Sequence, residues 1–160
     1  MRKVITNTTP VLSLLKIDKL DILKELYGQI IIPNAVYQEI EEGKYKEFYT
    51  DLKQIDWIII KSIKDKKSCE YFVDLDNGET EVLILAKEIN ADLIILDEII
   101  GRRYCKVLKY NLTGTLGVLL RAKEKGIIKS VKSLLFELIE KGTWLNPKLI
   151  NEVLKISKEK

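Results

Sequence analysis

The sequence predicts an α/β fold in which a central parallel sheet lies between two layers of helices. Short apolar runs occur at residues 3–6, 29–32, 57–60 and 92–96, and they alternate with segments whose apolar residues have helical spacing. Strands that are apolar on both faces are typical of a parallel sheet covered on both sides. A chain of 160 residues can bury one such core, so we expect a single domain over residues 1–160.

The predicted helices begin at capping residues. Thr9 is the expected N-cap of the first helix, because Pro10 suits the first helical position, where its missing N–H has no consequence. Asp18 is expected to cap a second helical stretch that ends at Gly28. Residues 42–53 favour neither helix nor loop. The remaining helices are predicted at residues 34–41, 79–90, 101–108, 115–125, 130–140 and 147–158.

The composition excludes several kinds of chemistry. The chain contains no histidine, which excludes histidine-dependent nucleophile triads and histidine-ligated zinc. Lys and Arg outnumber Asp and Glu by 27 to 24, a net charge of +3 that permits a nucleic-acid partner without requiring one. Cys69 and Cys105 have neither disulfide-framework nor metal-ligand spacing, so both are expected to be buried free thiols.

The sequence also lacks the features of a membrane or secreted protein. No stretch approaches the ~18 apolar residues that a membrane-spanning helix needs. The N-terminal residues run directly into a predicted strand, without an apolar signal segment. We therefore expect a cytoplasmic protein with no membrane partner.

Four polar residues are expected at one edge of the sheet. Asn7 and Asp97 directly follow the first and fourth predicted strands, Glu79 begins the helix before the fourth strand, and Glu39 lies in the helix after the second. Ligands of open parallel sheets bind at the carboxyl ends of the strands. Each acid also has a structural alternative, as a helix-start acid, a cap or a solvated helix residue. Their joint placement nevertheless predicts a site for Mg²⁺ or Mn²⁺, which prefer carboxylate oxygen.

The motifs of the chain resemble those of PIN-domain proteins. The resemblance is carried by VITNTTP at 4–10, IPxAVYxE at 32–39, GExE at 78–81 with Ala86, LDE at 96–98, GRR at 101–103, TGTLGVL at 113–119 and AK at 122–123. It covers nearly the whole chain and implies a doubly wound three-layer α/β/α fold with a central parallel sheet. It also implies Mg²⁺- or Mn²⁺-dependent endoribonuclease activity, RNA as a partner and a homodimer. Many PIN proteins are the toxin of a toxin–antitoxin pair, which implies an antitoxin partner.

The resemblance assigns roles to the acidic residues. Glu39, Glu79 and Asp97 match the second, third and fourth acidic positions of the family, which bind metal and act in catalysis. The first position, normally aspartate, is Asn7. Asparagine offers a metal a carbonyl oxygen but no charge, so metal affinity and turnover are both expected to be lower than with aspartate.

Residues near these acids are candidates for binding substrate. Thr8 and Thr9 match the small hydroxyl residues that follow the first acidic position and are expected to steady a water or a phosphate. Arg102 and Arg103 follow Asp97 closely and are expected to reach the phosphates of RNA, although a solvated helix start explains them as well.

Several residues keep two interpretations. The roles of Glu81 and Glu98 stay open. The glycines of residues 113–117 either hold an anion at a helix start or allow close helix packing, and the second is commoner. Tyr110 and Trp144 either stack on bases or pack in a core or interface, again with the second commoner.

Two other functions compete with the nuclease. One is a PIN-fold module of weak or no catalytic activity, without its first aspartate, that binds RNA or a protein partner. The other is a receiver domain like those of response regulators, which share the wound fold and an acidic pocket. A receiver domain needs an acid pair after the first strand, and residues 2–7 (RKVITN) contain none. This alternative therefore ranks last.

Overall fold

The computed structural model describes residues 2–160 and contains one sheet of five parallel strands. The strands are β1 (Val4–Thr6), β2 (Ile30–Pro33), β3 (Ile58–Lys61), β4 (Leu93–Ile95) and β5 (Leu112–Thr113). Their order across the sheet is β3-β2-β1-β4-β5. The first four correspond to the predicted runs. The fifth was not predicted, because its two residues show no pattern of their own and join the sheet by pairing with β4.

Eight α-helices accompany the sheet within residues 2–160. They are α1 (Thr8–Lys16), α2 (Asp21–Tyr27), α3 (Asn34–Glu42), α4 (Asn77–Ile89), α5 (Ile99–Val107), α6 (Thr115–Glu124), α7 (Val131–Glu140) and α8 (Pro147–Ile156). Short 3₁₀ helices at Leu52–Gln54 and Lys67–Tyr71 lie in the connections that precede β3 and α4. The undecided region 42–53 is therefore mostly a loop of turns, at residues 43–51, whose two ends belong to α3 and to the first 3₁₀ helix.

Two of the predicted caps are wrong. Thr9 lies inside α1, whose N-cap is Asn7, because the helix begins directly after β1. Asp18 does not begin a helix but follows the end of α1 in a left-handed conformation, with φ of 53°. The amide of Lys19 donates to the carbonyl of Leu14 at 2.8 Å, an arrangement typical of helix C-termini.

The helices form two layers, which confirms the predicted three-layer α/β/α fold class. Parallel strands are joined by right-handed crossovers. The connection from β1 to β2 and the connection from β3 to β4 run in opposite directions across the sheet, so their helices cover opposite faces. α6 packs against α1 and α2 in one layer, whereas α4 packs against α5 in the other. α3 contacts both α1 and α4.

The strand order reverses between β1 and β4, and this reversal defines the edge at which a ligand is expected. Thr6 pairs with Ile95 in register, and the next amide, that of Asn7, donates to the carbonyl of Ile95 at 3.0 Å. The chain thus leaves both central strands at the same edge, with Asn7 beginning one exit and Asp97 lying in the other.

Other predictions have mixed outcomes. Cys105 is a buried free thiol, as expected, whereas the free thiol of Cys69 is only partly buried. Tyr110 packs against the core, but Trp144 is 79% exposed and has no place in it. Within residues 2–160, no helix is both long and apolar enough to cross a membrane.

Glu81 joins α4 to the start of α3. Its carboxylate accepts a hydrogen bond of 3.0 Å from the backbone amide of Ala35, in the first turn of α3. The first amides of a helix have no partner within the helix, so an acid from a neighbouring element satisfies one of them. This contact gives Glu81 a structural role at the edge of the sheet.

We expect Glu81→Ala to lower the free energy of unfolding by about 1 kcal/mol, the usual effect of losing a helix cap. Urea denaturation measures this difference. The control is Glu140→Ala, which removes an exposed carboxylate at the end of α7 and should change stability by less than about 0.5 kcal/mol. Equal stability of the two variants would contradict the structural role of Glu81.

Candidate functional site

Asn7 places an unsatisfied oxygen at the carboxyl edge of the sheet. The residue is 4% exposed, and its side chain makes no capping hydrogen bond to α1. Its Oδ1 atom is buried and accepts no hydrogen bond from any residue in the range 2–160. A buried carbonyl without a partner costs about 1–3 kcal/mol, a cost that a bound water or cation at this edge would offset.

Glu39 is held between the starts of two other helices. Its Oε1 accepts a hydrogen bond of 3.0 Å from the amide of Gly78, and its Oε2 accepts one from the hydroxyl of Thr8. Burial raises the pKa of Glu39, and the negative charge of Asp76 adds to this. The bonds from Thr8 and Gly78 oppose the rise but do not cancel it. The Thr8 hydroxyl, which the sequence predicts to steady a water or a phosphate, donates its hydrogen bond to Glu39 in this structure.

Glu79 is a buried acid in the first turn of α4, with 8% of its surface exposed. Burial raises its pKa to about 8, helped by a side-chain hydrogen bond with Asp76 and by the charges of Asp76, Glu98 and Glu39. The carboxyl is therefore largely protonated at neutral pH. Its Oε2 lies beside α5, since a Cβ added to Gly101 would stand 3.6 Å from it.

Asp76 belongs to this group of residues, and the sequence analysis missed it. Its side chain caps α4 by accepting a hydrogen bond of 2.8 Å from the amide of Glu79. A capping residue followed three positions later by Glu is the signature of a helix start, and this signal was available in the sequence. Asp76 raises the pKa values of both Glu39 and Glu79, so it shapes the electrostatics of the site.

Asp97 is fixed by the start of α6. Its Oδ1 accepts a hydrogen bond of 2.8 Å from the amide of Thr115, and its Oδ2 accepts one of 2.5 Å from the hydroxyl of the same residue. The guanidinium of Arg102 donates to the carbonyl of Leu96 at 2.7 Å, next to Asp97 in the chain. The side chain of Arg103 is exposed.

Glu98 and Glu81, whose roles the sequence left open, each accept a hydrogen bond from a backbone amide, and Thr9 is exposed. Glu98 is the N-cap of α5 and accepts a hydrogen bond of 3.1 Å from the amide of Ile100. Glu81 bonds to the start of α3, as described above. Thr9 lies on the exposed surface of α1.

The structure brings some of the predicted metal ligands closer to one another than others. Glu39 and Glu79 influence each other and share Asp76, whereas Asp97 is engaged by Thr115. Within residues 2–160, no three or more acids or cysteines converge closely enough to enclose a metal ion. Mg²⁺, however, is commonly held by one or two carboxylates and several waters. The all-oxygen donor set and the unsatisfied Oδ1 of Asn7 therefore fit a hard divalent cation.

The raised pKa of Glu79 predicts a dependence of stability on pH. The folded protein keeps this proton up to about pH 8, whereas the unfolded chain releases it near the ordinary value of 4.5. The folded state binds more protons between these values, so the free energy of unfolding should fall as the pH rises from about 4.5 to about 8. Glu79→Gln should flatten this decline in metal-free buffer, measured by urea denaturation across the range.

The control for this prediction is Glu25→Gln, which removes an exposed carboxyl on α2. The pH dependence of this variant should match that of the original protein. A decline that persists unchanged in Glu79→Gln would show that Glu79 does not carry the shifted pKa.

Comparison with known proteins identifies the family. The family model described as a PIN domain matches residues 3–159, nearly the whole described chain. No curated protein matches the chain. The match agrees with the α/β/α architecture and with the resemblance of the motifs, and PIN domains are commonly nucleases. The chain therefore belongs to the PIN-domain family.

Proposed function

We propose that this chain is a divalent-metal-dependent endoribonuclease that hydrolyses phosphodiester bonds of RNA, with Mg²⁺ or Mn²⁺ as its cofactor. The observation that carries the proposal is the buried Oδ1 of Asn7, which accepts no hydrogen bond within residues 2–160 and lies at the ligand-binding edge of the sheet. Membership of a family whose members are commonly nucleases supports it.

Asn7, Glu39, Glu79 and Asp97 are the residues that would hold the cation, and Glu79 would release the proton that it keeps in the metal-free protein when the cation binds. When bound, a divalent cation supplies a Lewis acid that neutralises phosphate charge and lowers the pKa of water. The chain positions its donors beforehand, since Glu39 and Asp97 each accept two hydrogen bonds from helix starts. Preorganised carboxylates lose little conformational freedom when a ligand binds.

Arg102 and Arg103 supply the positive charge beside this site. Arg102 is steered by its bond to the Leu96 carbonyl, and Arg103 is exposed on the same turn of α5. Guanidinium groups suit phosphate, because they present several N–H donors in one plane. We propose that both residues contact the RNA backbone as it approaches the acidic residues.

The biological setting is part of the same proposal. On the resemblance to PIN proteins, we propose a toxin of a toxin–antitoxin pair that acts on RNA in the cytoplasm, forms a homodimer and is bound by an antitoxin protein.

Replacing Asn7 and Asp97 tests the nuclease. Asn7→Asp adds an anionic oxygen and should lower the dissociation constant for Mn²⁺ and raise the rate of RNA cleavage. Each 1.4 kcal/mol gained corresponds to roughly a tenfold change. Asp97→Ala should abolish both Mn²⁺ binding and cleavage. Calorimetric Mn²⁺ titration and cleavage of a generic single-stranded RNA measure the two effects.

The outcomes distinguish the nuclease from the alternative, a PIN-fold module that binds RNA or a protein partner with little or no catalysis. The neutral side chain of Asn7 favours this alternative. Cleavage by the original protein supports an enzyme that tolerates asparagine at this position. Cleavage only by Asn7→Asp supports a lapsed nuclease retained for binding. RNA binding without cleavage or Mn²⁺ uptake in any variant would refute the catalytic proposal.

A charge-removal experiment tests the RNA contact. Replacing both Arg102 and Arg103 with Ala should weaken binding of single-stranded RNA and reduce the slope of log affinity against log salt by about 1.4, since about 0.7 counterions are released per phosphate contact. Fluorescence anisotropy over a salt series measures the affinity and the slope.

The matched control replaces Lys125 and Lys129 with Ala, which removes the same charge just beyond the C-terminal end of α6. This pair lies at the end of the helix opposite to Thr115. An equal loss of affinity in both double variants would indicate nonspecific attraction rather than a phosphate contact at Arg102 and Arg103.

A further inference from the structure

We propose that Gly114 and Thr115 are positioning residues for Asp97, and that together they hold its carboxylate in the orientation needed to bind the cation. The inference rests on the proposed function, because it assigns a metal-facing role to Asp97. Gly114 precedes α6 and Thr115 begins it. The sequence alone did not decide whether this segment binds an anion or allows close helix packing, and the inference gives it a third, specific role.

Asp97 depends on another part of the chain for its orientation. It lies in the irregular connection 96–98, between the end of β4 and the start of α5. No regular hydrogen-bonding pattern of its own segment orients the side chain. Thr115 supplies that restraint, because its amide and its hydroxyl bond to different oxygens of the carboxylate, at 2.8 and 2.5 Å.

Thr115 therefore restrains both oxygens of the Asp97 carboxylate. One bond would leave the carboxylate free to rotate about it, whereas two bonds to separate oxygens fix the plane of the group. Thr115 is only 5% exposed, so solvent does not compete strongly for its hydroxyl. The first amides of a helix also favour a negative charge. Asp97 is therefore held in one orientation by the start of α6.

Gly114 allows the carboxylate to come this close. Its φ of −125° and ψ of −174° are accessible to other residues, so backbone conformation does not require glycine here. A Cβ at this position would stand 2.5 Å from Oδ1 of Asp97 and 3.0 Å from a guanidinium nitrogen of Arg102. Any side chain would push both groups away. The requirement for glycine is therefore the close approach of the backbone to Asp97.

This arrangement leaves Asp97 able to bind a metal. A carboxylate has about four lone-pair directions, and Thr115 uses one on each oxygen. The unused directions remain for a cation or its waters. Mutation of a residue that holds a metal ligand in this way typically lowers metal affinity or activity by roughly 10- to 100-fold. A simpler alternative is that Asp97 only caps α6, in which case these residues affect stability alone.

Three variants separate the two roles. Thr115→Val keeps the amide and the shape of the side chain but removes the hydroxyl, Thr115→Ser restores the hydroxyl, and Gly114→Ala inserts the obstructing Cβ. Gly43→Ala is the matched control, since the atoms nearest to its added Cβ would be those of the flexible side chain of Lys46, at 3.3 Å, and the carbonyl oxygen of Ile40 would lie at an ordinary contact distance of 3.5 Å. Its backbone, with φ of −95°, also accepts alanine.

The experiment has three readouts on each full-length variant. They are the carboxyl carbon NMR signal of Asp97 without metal, the dissociation constant for Mn²⁺ by calorimetry, and kcat and KM for RNA cleavage. Thr115→Val and Gly114→Ala should shift the NMR signal and raise the Mn²⁺ dissociation constant about tenfold. They should lower kcat while leaving KM for RNA unchanged. Thr115→Ser and Gly43→Ala should match the original protein.

Melting temperatures show whether each variant is folded. Thr115→Val or Gly114→Ala with an unchanged NMR signal and unchanged Mn²⁺ affinity, whatever its melting temperature, would overturn the inference. Lower stability with normal Mn²⁺ affinity would reduce Thr115 to a capping contact and would also overturn it. If the original protein takes up no Mn²⁺, the proposed function fails, and the metal-facing role of the pair fails with it. The NMR signals then still report whether Thr115 and Gly114 orient Asp97, so the two failures are distinguishable.

Discussion

The parallel pairing of β1 with β4 is the contact on which the site depends. It joins segments about ninety residues apart and places Thr6 opposite Ile95. Because strand order reverses there, the connections that leave the two strands diverge to opposite faces and open a crevice at the carboxyl edge. Asn7 and Asp97 lie in those two connections. A shift of one residue in this register would turn the neighbouring side chains to the other face of the sheet and would separate the two residues.

Helix starts provide the donors that hold the acids. Thr8 of α1 and Gly78 of α4 both bond to Glu39, and Thr115 of α6 makes both bonds to Asp97. The first backbone amides of a helix lack partners within it and carry partial positive charge, and the threonine hydroxyls add further donors at the same place. These bonds therefore offset part of the cost of burying the carboxylates, and within residues 2–160 no lysine or arginine forms an ion pair with Glu39 or Asp97. The folded protein can in this way hold several acidic residues at one edge of the sheet.

Burial and neighbouring negative charge affect the acidic residues of the site differently. Glu79 is the most buried of the three and lies near Asp76, Glu98 and Glu39, so its pKa rises to about 8 and the proton relieves the repulsion. Glu39 shows a smaller conflict, because bonds from Thr8 and Gly78 oppose the effect of burial. Asn7 contributes no charge, which lowers the repulsion further but leaves its carbonyl oxygen unsatisfied within the described residues. The balance of charge at this edge thus combines one neutral amide, one protonated acid and acids held by hydrogen bonds.

The sequence by itself determined the parallel sheet, four of its strands and the approximate positions of the long helices. These follow from local patterns, since apolar runs and helical periodicity persist over many residues. It also predicted Asn7, Glu79 and Asp97 near one edge, because strand ends and the start of the preceding helix meet there in a wound fold. Glu39 was predicted there too, but it lies inside a helix, and its bonds to Thr8 and Gly78 depend on how the helices pack. Only the tertiary structure decided that β5 pairs with β4, that Asp18 ends a helix, and that Thr115 engages Asp97. The pairing of β5 and the bonds of Thr115 depend on contacts between separate segments, which no local pattern encodes. The end of α1 at Asp18 is a local arrangement, but an aspartate in this position is equally typical of a helix start.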